Sequence, residues 1–194
     1  MQKILIRILD IVLSVAGIVL LSPVMLGIYL VGLVLNRSPL FFQQRVGRGR
    51  KPFTLVKFRT MAKDTASVGT HMVHSSSVTP FGRFLRRTKL DELPQLFNVL
   101  LGSMSLVGPR PCLPNQTTLV EERDRRGVYA IAPGITGIAQ VNSIDMSTPR
   151  KLARYDQVTT HRLDLCLYFW LILVTATGRG RGDRVNNGEP GSAS

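Results

Sequence analysis

The sequence has little cysteine and histidine, and these shortages exclude two classes of protein. Two cysteines, Cys112 and Cys166, are too few and too scattered to form a disulfide framework or a metal cluster. The three histidines show no zinc-ligand spacing with them. A disulfide-stapled secreted scaffold and a structural zinc protein are therefore excluded, and the thiols fit a reducing compartment.

Acidic residues are also scarce, with 12 against 25 basic residues, which gives a net charge of +13. So basic a chain favours an anionic partner such as nucleic acid, anionic lipid or a nucleotide phosphate. Because the chain is also 44% hydrophobic, a membrane location accounts for both properties at once. Few aromatic residues interleave the arginines and no nucleic-acid-binding motif is present, so we expect no nucleic-acid partner.

Charge is absent altogether from Ile11–Leu35, a run of 25 residues that is long enough to cross a bilayer. The run is too long for a secretory signal peptide and no small-residue cleavage site follows it. Ser22-Pro23 interrupts its middle, and proline there removes a backbone donor and predicts a kink or a break. Each half is then roughly 17 Å long, too short to cross alone.

Basic residues flank the apolar run on both sides, which favours both of its ends on the cytoplasmic face. The sequence therefore predicts a re-entrant helix that dips into one leaflet and returns. A spanning helix stays as the alternative, because spanning helices tolerate proline. We divide the chain into a membrane anchor at 1–36, a cytoplasmic-face catalytic domain at 37–177 and a flexible Gly/Arg-rich tail at 178–194.

The rest of the sequence predicts a mainly helical α+β fold, with amphipathic interfacial helices around a small catalytic domain. The stretch beginning at Pro80 is basic and amphipathic, and it suits either the membrane interface or a packed protein surface. The apolar stretch Leu163–Val174 is too short to span and suits either a core helix or an interfacial one. The predicted elements are a hairpin of Leu40–Val46 and Pro52–Arg59, a polar mobile loop over Ala62–Val78, and helices over Pro80–Leu85, Asp91–Leu101, Glu121–Arg126 and from Pro149.

Asp91 and Glu92 are the first candidates for chemistry. Two acids that open a helix are explained by the helix dipole alone. Their surroundings are strongly basic, however, and a carboxylate pair among basic residues can hold a divalent cation that bridges to phosphate oxygens. A carboxylate can also attack phosphorus to form a covalent intermediate. The nearby basic residues are Arg45, Lys57, Arg59, Arg83, Arg86, Arg87, Lys89 and Arg110.

Pro109-Arg110-Pro111 is the second candidate. The flanking prolines restrict the backbone around Arg110, so that this side chain loses less freedom when it binds an oxyanion. A proline-rich loop with an arginine that faces solvent is the alternative.

Four segments together resemble the bacterial sugar transferase family, the small monotopic polyprenyl-phosphate phosphoglycosyl transferases. No single segment is specific, but KFRTM, LDELPQ and GPRP in this order and spacing form a specific signature. The segments are the Ser22-Pro23 break, Phe41–Met61, Thr79–Pro114 and Pro133–Asn142.

The resemblance implies a role for each matching residue. Asp91 would attack the sugar-bearing phosphate of a UDP-sugar and expel UMP, and a polyprenyl phosphate would then attack the aspartyl intermediate. Glu92, with Asp91, would bind Mg²⁺, while Arg86 and Arg110 would bind phosphate. We also assign substrate binding to Lys57, Arg59, Arg45 and Gln140.

The same resemblance places the protein on the cytoplasmic face of the bacterial inner membrane, at the first membrane step of glycoconjugate or polysaccharide assembly. The bilayer is then a partner, and a homodimer is kept as an option. The sequence departs from the family at Ile138, where tryptophan often follows the PGITG motif. The resemblance favours an N-acetylated or deoxy amino sugar over plain glucose or galactose.

Two rival functions remain open at this point. In the first, polyprenyl phosphate attacks the UDP-sugar directly and Asp91 serves as general base without a covalent intermediate. In the second, the chain is a basic membrane-anchored binding module that has no catalytic activity and does not depend on Asp91.

Overall fold

A computed structural model describes residues 2–62 and 78–177. The fold is α+β and mainly helical, with one long apolar N-terminal helix and a short antiparallel hairpin, as the sequence predicts. The elements are α1 (Gln2–Asn36), β1 (Leu40–Val46), β2 (Pro52–Phe58), α2 (Pro80–Thr88), α3 (Gln95–Leu100), β3 (Ser105–Val107), α4 (Thr117–Arg125), β4 (Gly134–Thr136), α5 (Ile138–Val141), α6 (Pro149–Arg162) and α7 (Leu165–Ala176).

Helix α1 is a single element that contains Pro23, so it does not end at Ser22-Pro23. The sequence predicted a kink or a break here; the break is not seen, and the kink stays a prediction. Proline at position 23 cannot donate to the carbonyl of Val19, which lies four residues earlier. The Ser22 hydroxyl donates to that carbonyl at 2.8 Å, so the helix continues through the proline with its acceptor satisfied.

The hairpin forms as predicted, apart from one residue at the end of β2. Strands β1 and β2 pair antiparallel from Leu40 opposite Phe58 to Val46 opposite Pro52. Between them Gly49 takes a positive φ of 63° inside a short 3₁₀ turn, a conformation that glycine adopts without steric cost.

The predicted helix over Asp91–Leu101 is corrected to two pieces. Leu90–Glu92 forms a separate 3₁₀ turn, and α3 begins only at Gln95. Pro94 is the physical reason, because it has no amide hydrogen and occupies the N-cap of α3 rather than its first turn. The two acids therefore stand on a tight turn between α2 and α3.

Strands β3 and β4 pair in parallel, with Ser105 opposite Gly134 and Val107 opposite Thr136. Their backbones touch next to the Pro109-Arg110-Pro111 loop. A methyl group added to Gly134 would lie 2.0 Å from the backbone nitrogen of Gly108. The glycines of the two motifs are therefore required by close backbone packing.

The C-terminal half is held by a buried ion pair between α4 and α6. The Arg123 guanidinium is 1% exposed and donates to Asp156 from Nε at 2.9 Å and from Nη2 at 2.7 Å.

Helix α6 begins at Pro149, as predicted. The Gly/Arg-rich tail at 178–194 and all of the predicted polar loop except its end residues, Ala62 and Val78, lie outside the described residues.

Helix α7 has one buried face and one exposed apolar face. Tyr168 and Leu171 are buried against α1, whereas Phe169, Trp170 and Leu173 are exposed. One face of the helix is therefore core, and the other is an apolar surface with aromatic residues that suits a membrane interface.

Candidate active site

The two acids are presented by an abrupt change of chain direction after α2. Lys89 ends α2 in the left-handed conformation, with φ of 58°, and the 3₁₀ turn that carries Asp91 and Glu92 follows at once. A left-handed non-glycine residue is uncommon and marks a strained position. Asp91 is 8% exposed at this turn.

The Glu92 carboxylate is the centre of the charge cluster. Its Oε1 accepts from Lys57 Nζ and from Arg110 Nη2, both at 3.1 Å. Lys57 comes from β2 and Arg110 from the loop after β3, so three separate segments meet at one carboxylate oxygen. All three side chains are less than one fifth exposed, where charge pairs are screened much less than at the surface.

Lys89 adds a further cation to this cluster. Burial lowers the pKa of its ammonium group, the attraction of Glu92 opposes this shift, and the repulsion of Arg110 adds to it. The neighbourhood of Glu92 therefore holds an excess of positive charge, which an anionic substrate would neutralise.

A small open cleft lies beside Lys57 and Arg110. Its polar walls carry cationic and amide groups, and its remaining walls include the β4 backbone. Donors predominate, so the cleft favours an anion. It is lined by Arg45, Leu55, Lys57, Gln95, Arg110, Pro111, Gly134 and Ile135.

Arg45 reaches this cleft, but its described bonds support the loop that carries Arg110. It is 9% exposed and donates from Nη1 to the carbonyl of Pro111 at 3.0 Å and from Nη2 to Gln43 at 2.5 Å. The next residue, Val46, donates its backbone N–H to the carbonyl of Cys112. The end of β1 thus holds the Pro109-Arg110-Pro111 loop against the hairpin.

The contacts described for the other predicted substrate-binding residues are with neighbouring segments. Arg86 donates from Nε to the Thr60 hydroxyl at 2.8 Å. Arg59 donates to the carbonyls of Ser38 and Leu40 and lies 5.4 Å from the centre of the Phe41 ring. Gln140 lies in α5, and its Nε2 donates at 3.5 Å to the backbone carbonyl of Ile135, a residue that lines the cleft.

Several polar residues of this region were missed by sequence reasoning. Gln95, the last residue of LDELPQ, is 3% exposed and lines the cleft. Asn98 joins α3 to β2, since it accepts from Val56 N–H at 3.0 Å and donates to the Thr54 carbonyl at 2.8 Å. Arg7 and Asp10, in the first turns of α1, bond to the segments around the site. The sequence feature that could have identified Arg7 and Asp10 is a pair of opposite charges just before the apolar run.

The acids present suit Mg²⁺ better than a metal that needs an all-protein cage. The described residues contain no group of three or more histidine, cysteine or acidic side chains that could hold a metal. Mg²⁺ is commonly held by one or two carboxylates, with substrate phosphates and water as the other ligands. Asp91 and Glu92 fit this pattern, since Glu92 contacts Lys57 and Arg110, which line the cleft.

Comparison with known proteins identifies relatives along almost the whole chain. The family described as bacterial sugar transferase matches residues 1–179. The chain is 38% identical over 178 residues to a UDP-glucose:undecaprenyl-phosphate glucose-1-phosphate transferase of Xanthomonas campestris pv. campestris, which covers 86% of the chain and 37% of that protein.

Two further relatives are named for other sugars. A UDP-N-acetylgalactosamine-undecaprenyl-phosphate N-acetylgalactosaminephosphotransferase of Aeromonas hydrophila is 39% identical over 69% of the chain and 33% of its own length. An undecaprenyl-phosphate galactose phosphotransferase of Salmonella typhimurium is 36% identical over 73% of the chain and 34% of its own length. The chain thus spans about a third of the length of these relatives.

Proposed function

Because this chain belongs to the bacterial sugar transferase family, we propose that it transfers a sugar 1-phosphate from a UDP-sugar to a polyprenyl phosphate and releases UMP. Relatives named for UDP-sugars and undecaprenyl phosphate support this reaction. The observation that carries the proposal is the Glu92 carboxylate, held between Lys57 and Arg110 next to a buried aspartate.

Asp91 is the nucleophile in this proposal. One of its carboxylate oxygens forms a bond to the sugar-bearing phosphorus of the donor, and the bond between that phosphorus and the UMP oxygen breaks. UMP leaves with the electron pair, and an aspartyl phosphosugar remains on the enzyme. Asp91 is 8% exposed, so it remains accessible from the surface while little water competes with it.

The second step returns the enzyme to its starting state. A phosphate oxygen of the lipid acceptor attacks the same phosphorus, and Asp91 leaves as a carboxylate. The product is a polyprenyl diphosphate sugar, and no electrons are gained or lost. A two-step route suits a site with one cluster of cations, because UMP leaves before the lipid phosphate needs the same charges.

Lys57 and Arg110 stabilise the charge on the donor phosphates. Arg110 can present two parallel N–H groups to a phosphate, whereas Lys57 acts as a compact point charge. Both are already fixed by Glu92, so little side-chain freedom is lost when the donor binds. The Arg45 bond to the Pro111 carbonyl keeps the Arg110 loop in place.

Mg²⁺ would be held by Glu92 and Asp91 together with the donor diphosphate. The ion would supply positive charge that polarises the phosphoryl oxygens and stabilises the leaving UMP. Glu92 would be shared between the metal and the two cations, Lys57 and Arg110, that it already holds.

We further propose that the protein enters one leaflet from the cytoplasmic face of the inner membrane. Helix α1 is the one described helix that is long and apolar enough to cross a membrane. Its first turns bond to β3, and its later turns also pack on the domain, since Ile28 contacts Phe58 and Leu85. A straight spanning helix would carry one of these halves away from the domain, so contacts at both ends support the re-entrant arrangement.

The donor sugar is proposed from the sequence alone. The relatives are named for glucose, galactose and N-acetylgalactosamine, so they favour no single class. We keep an N-acetylated or deoxy amino sugar as the expected donor. Ile138 packs in the core cluster with Val107 and Tyr168, so its departure from the family pattern falls in the core.

A panel of UDP-sugars, assayed for UMP release by the full chain in lipid nanodiscs with Mg²⁺, tests the function. Without lipid acceptor, we expect one equivalent of UMP per enzyme with the correct donor. A single-step enzyme would release none until polyprenyl phosphate is added. A binding module would release none in either condition, and that result would overturn the proposed function.

A further inference from the structure

We propose that Arg7 and Asp10 are positioning residues, through which the first turns of the membrane helix hold the two segments of the active site in register. One segment is α3, which follows the turn of Asp91 and Glu92. The other is β3, which leads into the loop of Arg110. The inference deepens the proposed function and rests on it.

Arg7 holds the end of α3. Its Nη1 donates to the carbonyl of Val99 at 2.6 Å and its Nη2 to the carbonyl of Leu100 at 2.9 Å. The last carbonyls of a helix lack partners within the helix and carry the negative end of its dipole. A guanidinium with two parallel donors bonds to both carbonyls at once, and at Val99 it adds to the bond from the Gly102 N–H at 3.0 Å.

Asp10 holds β3. Its Oδ1 accepts from the Leu106 N–H at 3.0 Å, the Ser105 hydroxyl at 3.1 Å and the Tyr168 hydroxyl at 2.8 Å. Burial raises the pKa of Tyr168 and the charge of Asp10 raises it further, so the phenol keeps the proton that it donates. Leu106 is four residues before Arg110, so this bond fixes the strand from which the loop departs.

The contacts of Arg7 and those of Asp10 act as a pair because α1 is rigid between the two residues. Arg7 and Asp10 are three residues apart on one helix, a rise of about 4.5 Å, and residues at this spacing share a face. At the other end of the same two segments, Glu92 and Arg110 meet at 3.1 Å. The segments are therefore tied together both at the site and behind it.

A helix that only anchors a protein in lipid does not need this arrangement. Asp10 is 2% exposed, and burying a carboxylate costs free energy unless hydrogen bonds compensate it. The acid accepts three hydrogen bonds, from β3 and from α7, and none of these partners is within α1. The buried charge thus serves the domain rather than the membrane.

The test compares Asp10→Ala with Asp10→Asn in the full chain in nanodiscs, with the UDP-sugar that the wild type uses best. Small misplacement of reacting groups can lower a rate by about 100-fold, so we expect kcat for UMP release to fall by about that factor in Asp10→Ala. KM should change by less than about threefold, because the donor contacts are retained. Asp10→Asn keeps an oxygen acceptor and should recover most of the rate.

Ser14→Ala is the matched control. Its hydroxyl is buried one turn further along α1 and has no hydrogen-bond partner among the described residues. This variant should match the wild type. Amide hydrogen exchange over 105–110 gives a second readout that does not need activity, and it should rise in Asp10→Ala but not in Ser14→Ala.

Wild-type kcat and wild-type exchange in Asp10→Ala would overturn the inference. An Asp10→Asn variant as slow as Asp10→Ala would do so as well, because charge rather than the bonded position would then matter. If Asp10→Ala fails to fold, Tyr168→Phe replaces it in the test, because this variant removes a single hydrogen-bond donor to Asp10. A kcat equal to that of the wild type in Tyr168→Phe would overturn the inference. If the wild type releases no UMP from any UDP-sugar tested, the proposed function is overturned. The hydrogen-exchange measurement would still test whether Asp10 positions β3.

Discussion

At the scale of single residues, the Glu92 carboxylate interacts with several cations. It accepts from Lys57 and Arg110, and in the proposed reaction it also holds Mg²⁺ beside the donor diphosphate. An anion shared among cations in a partly buried site is sensitive to the loss of its charge. Glu92 is therefore expected to control metal affinity and the placement of both cations.

Glu92→Gln tests this expectation. The amide keeps an oxygen but loses the charge, so we expect the Mg²⁺ concentration for half-maximal UMP release to rise by about 10- to 100-fold, the range typical for lost metal-site interactions. A titration of UMP release against Mg²⁺ measures the change. Glu121→Gln is the control, since that side chain is 66% exposed and lies near Arg125 on its own helix. An unchanged Mg²⁺ titration in Glu92→Gln would contradict the metal role.

The proximity of the candidate site residues was predictable from sequence where they lie in dense local motifs. Glu92, Lys57 and Arg110 were all expected at the site, and the structure brings them together at 3.1 Å. The sequence alone did not separate Arg59 from Lys57 and Arg110, because all three are cations near the acids. The bonds of Arg59 to the Ser38 and Leu40 carbonyls are visible only in the folded chain. Asp10 was missed because its partners lie about 95 and 158 residues away in sequence.

At the scale of elements, β3 and β4 decide where the Arg110 loop sits. Their backbones approach so closely that glycine is required at the contact, and Gly137 faces the carbonyl of Gly108 as well. Gly134 also donates its N–H to the carbonyl of Pro109 at 2.9 Å. The PGITG motif is therefore the support on which the GPRP motif rests.

Gly134→Ala should displace this loop. Forced overpacking costs about 1–3 kcal/mol, and we expect kcat for UMP release to fall by about 100-fold as Arg110 moves. Gly27→Ala is the matched control, because a methyl group there meets nothing within 4 Å. Thermal unfolding and UMP release of both variants would be compared. A fully active Gly134→Ala protein would show that the loop does not depend on this contact.

Helices and strands were predicted correctly where neighbouring residues all favour one structure, and incorrectly where a proline interrupts a helical pattern. The hairpin and the start of α6 at Pro149 followed from turn glycines and an N-terminal proline. Of the kink or break expected at Pro23, the break did not form, because the Ser22 hydroxyl replaces the missing donor. The helix expected from Asp91 was instead divided at Pro94, where no such replacement is described.

At the scale of the whole molecule, the domain touches α1 near both of its ends. Arg7 and Asp10 bond near the start, and Ile28 packs near the end. Large apolar side chains elsewhere on α1 are exposed, Leu20 by 78% and Val34 by 82%. This distribution fits a helix that lies against the domain on one side and meets lipid on the other.

The re-entrant arrangement predicts that Gln2 and the catalytic domain face the same compartment. In a Cys166→Ser background, Gln2→Cys and the reference Glu121→Cys should both resist a membrane-impermeant maleimide in intact cells and both react in inverted vesicles. Glu121 is well exposed, so its reactivity reports the domain side. Labelling of Gln2→Cys from outside intact cells would establish a spanning helix and overturn the arrangement.

A covalent bond to Asp91 is the central step of the proposed reaction. The decisive measurement exposes the wild type and Asp91→Asn to a UDP-sugar labelled in its sugar-bearing phosphate, with Mg²⁺ and no lipid acceptor, and maps the label by peptide mass. We predict one label on the wild-type peptide that contains Asp91, its release by added polyprenyl phosphate, and no label on Asp91→Asn. An unlabelled wild type that still turns over once lipid is present, or a labelled Asp91→Asn, would contradict the mechanism.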